Sequence, residues 1–172
     1  GLIENCHVKN SSVECENWTI GGLLGQFNNG KISGCSVEST TITGYGAVAA
    51  IAGIALDKGE RTIENCTVKD CTISQNGSFG GNFDKMFAAI VGAVYNAELT
   101  VNLNNCSVEG TTIKQQDSNS LCGFISDGGK LIIDGAPVVA STAALSEAIG
   151  QGKSVILAND VDFGSTQLAI TG

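Results

Sequence analysis

The apolar residues of the first part of the chain recur in a long repeat. Each copy has an aliphatic residue three positions before a cysteine and a valine two positions after it, in the segments Ile3–Val8, Ile32–Val37, Ile63–Val68 and Leu103–Val108. A β-branched residue follows seven positions beyond each cysteine, at Val13, Ile42, Ile73 and Ile113. Leu131–Gly135 begins a fifth copy without a cysteine. The chain up to about residue 135 is therefore a series of repeating units.

Side-chain parity within a unit predicts its shape. The cysteine and the following valine share one face of a strand, but the preceding aliphatic residue has the wrong parity unless the chain turns between them. Turn-forming residues stand at that point and again four positions after each cysteine: Asn5, Gly34, Asn65 and Asn105, then Asn10, Ser39, Asp70 and Gly110. Two corners and three short strands per unit predict an all-β fold, a right-handed parallel β-helix of about four to five coils.

Charged residues give an independent test of this register. The position three after the cysteine, which is predicted to face solvent, holds charges of alternating sign: Lys9, Glu38, Lys69 and Glu109. In stacked units each charge would lie beside an opposite one on the next strand. The alternation supports the register that the apolar residues define.

Composition excludes several classes of partner. The net charge is −8 and the nine basic residues are spread along the chain, which argues against nucleic acid as a partner. No apolar stretch approaches the roughly 20 residues of a spanning helix, so we expect no membrane insertion. The amino-terminal residues also lack the layout of a signal peptide.

The residues that usually carry chemistry predict no catalytic, metal or cofactor site. The cysteines number seven and occur mostly once per unit, without C-x-x-C pairs, so we expect buried free thiols rather than zinc ligands or disulfides. His7 is the only histidine and is predicted to face solvent beside Ser36. Gly44–Ala49 matches G-x-G-x-x-A, but it aligns with the apolar strand of sister units, so we predict no dinucleotide cofactor.

The glycine-rich part of each unit carries a resemblance to a known family. Gly22-Leu-Leu-Gly25, followed by the segment up to Val37, resembles the GLUG-type repeat of bacterial surface and adhesin-like proteins. Later copies read Ala50-Ile-Ala-Gly53, Ala89-Ile-Val-Gly92 and Gly123-Phe-Ile. The resemblance implies a secreted or surface-anchored β-solenoid in a bacterium, and it transfers no catalytic residue.

The pattern changes after Pro137, the only proline. Residues 141–149 read as a short amphipathic helix, capped by Ser141 or Thr142, and residues 154–158 as a strand followed by a solvated loop with Asp160 and Asp162. This order resembles the start of a pectate-lyase-like β-helix module. We therefore predict a repeat domain at 1–135 and, at 136–172, a helix-strand cap or the start of a following module. Both ends fall within repeating or module-like pattern, so we expect a longer protein.

One insertion stands out as a candidate ligand-contact loop. The third unit is longer than its neighbours, and the excess at residues 76–85 carries a group of aromatic and polar residues: Phe79, Asn82, Phe83, Asp84 and Lys85. Rings flanked by polar groups are typical of sites that hold a sugar or a peptide. Alternatively, the two phenylalanines fold back and shield the edge of the coil.

These features predict a non-catalytic extracellular or cell-surface module. Its expected role is adhesion, binding of a glycan or host-matrix protein, or spacing of other modules. The alternative is a fragment of a carbohydrate-active β-helix enzyme, a polysaccharide lyase or hydrolase, whose catalytic coils lie outside this chain. Such lyases need an arginine base, and Arg61 is the only arginine.

Overall fold

The fold comes from a computed structural model that describes residues 1–16, 18–77, 79–114, 121–139 and 142–157. The predicted helix cap at Ser141 and the predicted loop with Asp160 and Asp162 lie outside these ranges. The described part is mostly β.

Five short strands make up each complete unit. The first contains β1 (Leu2–Glu4), β2 (His7–Lys9), β3 (Ser12–Glu14), β4 (Thr19–Gly21) and β5 (Leu24–Phe27). The second contains β6 (Gly30–Ser33), β7 (Ser36–Glu38), β8 (Thr41–Gly44), β9 (Ala47–Ala49) and β10 (Ala52–Ala55). The third contains β11 (Gly59–Glu64), β12 (Thr67–Lys69), β13 (Thr72–Gln75), a 3₁₀ helix (Gly81–Lys85), β14 (Phe87–Ala88) and β15 (Val91–Val94).

The described part of the fourth unit contains four strands, and a shorter carboxyl-terminal segment follows it. The fourth unit contributes β16 (Leu99–Asn104), β17 (Ser107–Glu109), β18 (Thr112–Ile113) and β19 (Cys122–Ile125). The segment after it contains β20 (Lys130–Ile133), β21 (Ala136–Val139), α1 (Thr142–Gly150) and β22 (Ile156–Leu157).

Strands at the same place in successive units pair in parallel and form five sheets. Sheet 1 is β1-β6-β11-β16-β20, sheet 2 is β2-β7-β12-β17, sheet 3 is β3-β8-β13-β18, sheet 4 is β4-β9-β14 and sheet 5 is β5-β10-β15-β19. The pairing is in register with the repeat, because Val37 pairs with Val8 on one side and with Val68 on the other. The predicted parallel pairing and repeat register are therefore confirmed.

Backbone dihedral angles confirm the corners but correct the number of strands. All eight predicted corner residues have φ between 46° and 61°, the left-handed conformation that asparagine, aspartate and glycine adopt most readily. The unit has five strands and not the predicted three. The reason is that the chain after the second corner bends twice, so that the predicted third strand is three strands, Ser12–Glu14, Thr19–Gly21 and Leu24–Phe27 in the first unit.

A row of glycines makes the second of these bends possible. Gly25, Gly53, Gly92 and Gly123 occupy equivalent positions in the strands of sheet 5. A Cβ atom on Gly53 would lie 2.6 Å from the Ile20 carbonyl oxygen, and one on Gly92 would lie 2.9 Å from that of Met86. These distances are too short for a side chain, so sheet 5 lies with its backbone directly against sheet 4 and the residues beside β14.

The main core fills the space enclosed by the sheets with rows of like residues. The middle units supply its fully buried aliphatic side chains, such as Ile32, Ile63 and Ile73. Cys35, Cys66 and Cys71 are also buried, as predicted, whereas Cys6 in the first unit is exposed. A hydrogen bond with the Cys106 thiol, together with burial, raises the pKa of the Cys66 thiol.

The predicted alternation of charges gives ion pairs on the outer face of sheet 2. Lys9 Nζ lies 3.0 Å from a Glu38 carboxylate oxygen, and Lys69 Nζ lies 3.7 Å from one of Glu109. The hydrogen bond from Lys9 lowers the pKa of the Glu38 carboxyl. These pairs are exposed, so they define register more than they stabilise the fold.

The carboxyl-terminal segment leaves the parallel pattern through a tight turn. Asp134 and Gly135 have φ of 47° and 82°, and β21 runs back antiparallel to β20. The helix α1 follows, with Leu145 and Ala148 buried as its predicted apolar face requires. The strand predicted at 154–158 is shorter and pairs with β21 as β22.

Gly92→Ala tests the close approach of sheets 4 and 5. The added methyl group meets backbone atoms on the neighbouring strands, so we expect the free energy of unfolding to fall by about 1–3 kcal/mol or more. Gly150→Ala is the control, because its Cβ would enter open space at the end of α1. Denaturant unfolding measures both. Equal stability of the two variants would contradict the close approach.

Cys71→Ala tests the buried thiols through the pH dependence of stability. Burial raises the pKa of the Cys71 thiol above the usual 9.0, so the folded state keeps a proton that the unfolded state releases at higher pH. Stability therefore falls as pH rises above about 9, by at most about 1.4 kcal/mol per pH unit for this thiol. Denaturant unfolding at pH 7 and pH 10 should give a smaller loss in Cys71→Ala than in the parent. Val68→Ala, which shortens a buried side chain without removing a titrating group, should keep the parent's loss; a parental loss in Cys71→Ala would exclude this effect.

Candidate functional site

Four aromatic residues from three consecutive units meet on one side of the repeat. We call Trp18, Tyr45, Phe79 and Phe83 the aromatic cluster. The Phe79 ring centroid lies 4.6 Å from that of Tyr45, 5.3 Å from that of Phe83 and 5.8 Å from that of Trp18. The Trp18 and Phe83 centroids are 5.5 Å apart in an edge-to-face arrangement. These distances are typical of stabilising aromatic pairs.

Backbone features of the repeat bring the rings together. Trp18 directly precedes β4, and Tyr45 lies between β8 and β9, at the junction of sheets 3 and 4. Gln75 Nε2 donates a hydrogen bond of 3.0 Å to the Tyr45 carbonyl oxygen. Gly77 lies against the Tyr45 ring so closely that a Cβ there would overlap it. The chain after β13 is thereby held beside the ring, and Phe79 follows two residues later.

The inserted loop folds onto the body of the protein through Phe83. This half-buried ring packs against a second apolar cluster, which consists of Ala47, Ile54, Met86 and Ala93. The second apolar cluster is separate from the main core, although both take residues from β9 and β10. Met86, at the end of the 3₁₀ helix, is fully buried in it.

Exposure distinguishes the two phenylalanines of the loop. Phe83 covers the second apolar cluster. This is a shielding role, which the sequence analysis gave as the alternative to ligand contact. Phe79 is 51% exposed and Trp18 is 46% exposed. The aromatic cluster therefore has a covered base and an exposed outer part. Binding by this outer part stays a prediction.

Polar residues flank Phe83 in the chain. Asn82, Asp84 and Lys85 lie in the 3₁₀ helix and are exposed. Asn76 Nδ2 lies 3.5 Å from a carboxylate oxygen of Glu14, which links the start of the loop to the first unit. Amide, carboxylate and ammonium groups next to rings provide hydrogen bonds and stacking surface together.

The sequence prediction missed half of the aromatic cluster. Trp18 and Tyr45 lie 27 positions apart, outside the insertion, and nothing in the apolar repeat marks them as neighbours of Phe79. Two features of the sequence could have pointed to them: their residue type and their position in the unit. Trp18 is the only tryptophan, and both residues directly precede the glycine- and alanine-rich stretch in a chain poor in aromatics.

The other candidates from the sequence lie apart from the aromatic cluster. His7 Nδ1 is 2.9 Å from Ser36 Oγ on the exposed face of sheet 2, as predicted. A cavity of about 460 Å³ next to them is lined by polar side chains that include Lys9, Glu38 and Thr67. Within the described ranges, no group of three or more His, Cys, Asp or Glu side chains is placed to hold a metal ion.

Arg61 has a structural position. Its guanidinium donates hydrogen bonds of 3.0–3.3 Å to the carbonyl oxygens of Leu56, Lys58 and Glu60, and the residue is only 4% exposed. It thus fixes the turn that leads into β11. The alternative enzyme class would need an arginine base on the outer face. Arg61 is buried in a turn and does not provide one.

Comparison of the chain with protein-family models, curated proteins and solved structures found no match. In the described part of the chain, no helix has the length and apolar character needed to cross a membrane. A function therefore has to be inferred from the residues of the aromatic cluster themselves.

Alanine substitutions separate the covering ring from the exposed one. We expect Phe83→Ala to lower the free energy of unfolding by about 2 kcal/mol, because it uncovers the second apolar cluster. Phe79→Ala should cost about 1 kcal/mol or less, since half of the side chain is already in water. Denaturant unfolding followed by Trp18 fluorescence measures both. Equal losses would show that the two rings have the same role.

Proposed function

We propose that this chain is a non-catalytic repeat module of a secreted or surface-anchored bacterial protein, and that its aromatic cluster binds a glycan or a host surface protein. In this proposal the five sheets are the faces of a right-handed parallel β-helix of the GLUG type. The support for the β-helix is that each of the first three units adds one parallel strand to each sheet in turn, so that the units follow one another along one axis.

The observation that carries the proposal is the exposed part of the aromatic cluster. The chain has nine aromatic residues, six Phe, two Tyr and one Trp, and four of them lie in this one cluster. Two of the four keep about half of their surface in water. Exposed apolar surface rimmed by polar groups marks interaction sites, because it costs free energy when it is left uncovered.

The position of the cluster suits a surface module. It lies on the side of the repeat, where rings from three units form one surface, rather than at an end where a further unit would stack. Polar side chains around it supply hydrogen bonds, and aromatic rings supply contact area at a small cost in conformational entropy. The five sheets, with the ion pairs on their outside, then act as the scaffold that holds this surface.

Retention on immobilised glycans and matrix proteins tests the proposal. We expect the parent to bind at least one such surface and Phe79→Ala to bind it about five- to tenfold more weakly, the equivalent of about 1–1.4 kcal/mol. Leu2→Ala is the matched control, because it also removes an exposed apolar side chain, 60% exposed, but one that lies in β1 of sheet 1 and not in the aromatic cluster. Melting curves should show all three proteins folded.

Two results would overturn the proposal. One is a parent that no glycan or matrix surface retains. The other is a Phe79→Ala variant that binds as tightly as the parent and the Leu2→Ala control.

A further inference from the structure

The aromatic cluster is one end of a longer apolar strip. Phe83 packs against one part of the second apolar cluster, and the half-buried ring of Phe124 packs against the same cluster. The Tyr95 ring centroid lies 6.0 Å from that of Phe124. Tyr95 is 41% exposed. The strip therefore has exposed rings at both ends and a covered apolar floor between them.

Sheet 5 holds the second end of the strip in place. Ala93 of β15 pairs with Ile54 on one side and with Phe124 on the other, which puts the three side chains in one row. Tyr95 directly follows β15, and its backbone N–H donates a hydrogen bond of 3.0 Å to the Ala55 carbonyl oxygen. The Tyr95 ring thus belongs to the rigid body of the repeat and not to a loop.

We propose that the strip from Trp18 to Tyr95 is one extended binding surface for a neutral polysaccharide chain, with Tyr95 and Phe124 as a second contact point. This inference rests on the proposed function. Each exposed ring offers a face for the apolar side of a sugar, and the two ends are joined by continuous side-chain contact through the second apolar cluster. A polymer can reach both ends, whereas a single sugar can occupy only one.

The shape of the surface favours a chain over a small molecule. Small ligands bind in concave sites that bury most of their surface. The described cavities of about 460 and 390 Å³ are lined by other residues, on sheet 2 and around Asp134–Pro137. At an open surface each contact with a sugar is weak. Once one segment of a polymer has bound, the next segment is held close to the second contact point at a high effective concentration, and this raises the overall affinity.

Charge favours a neutral chain over an anionic one. Three exposed carboxylates are close in sequence to the rings of the aromatic cluster, since Glu14 and Glu16 precede Trp18 and Asp84 follows Phe83; the ammonium group of Lys85 comes next in the chain. The whole chain carries a net charge of −8. A sulfated or uronic-acid polymer would meet repulsion from this field, whereas a neutral polymer would not.

Trp18 allows a direct test, because it is the only tryptophan and lies at the first contact point. Its fluorescence can be titrated with disaccharides and hexasaccharides of glucose, N-acetylglucosamine, mannose and xylose, and with heparin as the anionic probe. We expect at least one neutral hexasaccharide to bind about tenfold or more tightly than its disaccharide, and heparin to bind more weakly than that hexasaccharide.

Two variants then locate the second contact point. Tyr95→Ala should reduce the advantage of the hexasaccharide to about threefold or less and leave disaccharide binding unchanged. Tyr95→Phe keeps the ring and should behave as the parent; unfolding curves establish that both variants fold.

The outcomes separate this inference from the proposed function. Two results would overturn the extended surface and leave the binding function standing. One is a Tyr95→Ala variant that prefers the hexasaccharide over the disaccharide as strongly as the parent does. The other is a parent that binds the hexasaccharide and the disaccharide with equal affinity. Tighter binding of heparin would overturn the neutral ligand. No response of Trp18 to any neutral probe would overturn the extended surface, and retention of the parent on glycan or matrix surfaces would then decide the proposed function separately.

Discussion

In-register pairing between successive units is the constraint on which the rest of this structure depends. Each backbone hydrogen bond between units places a residue beside the residue at the same repeat position, as in the row of Val8, Val37, Val68 and Val108. A row of like side chains fills the interior evenly, because every level has the same shape. The corners must also coincide, which explains why left-handed residues recur at the same two places in each unit. Charges of alternating sign on the outside satisfy the same register.

The bend in each unit connects this framework to the candidate site. Glycines let sheet 5 approach sheet 4 without side chains between them, and apolar residues of β9, β10 and β15 form the second apolar cluster together with Met86. This surface needs a cover, and the insertion in the third unit supplies it through Phe83. The ring that covers also positions its neighbours, since Trp18 and Phe79 both contact it. A structural requirement of the repeat thereby produces an exposed aromatic surface at its side.

The fold and the candidate site use different residues. Buried thiols and the guanidinium of Arg61 satisfy internal requirements, and His7 with Ser36 belongs to an exposed polar face. The aromatic cluster differs from these, because Phe79 and Trp18 keep about half of their surface in water. Its members come from three units, so a slip of register by one residue would separate Trp18 from its partners. Any binding function of this surface is consequently tied to the stability of the repeat.

The sequence by itself determined the repeat, the corners, the parallel register and the buried face of each strand. These follow from alternation and from left-handed turn residues, which act over a few positions and leave a periodic trace. It also indicated Phe79 and Phe83, because an insertion in a repeat becomes a surface loop. Only the tertiary structure decided that each unit has five strands, since the bend depends on the distance between two backbones. It alone placed Trp18 and Tyr45 against the loop and distinguished the covering Phe83 from the exposed Phe79. Those outcomes depend on how residues far apart in the chain share space, and a one-dimensional pattern carries no record of that packing.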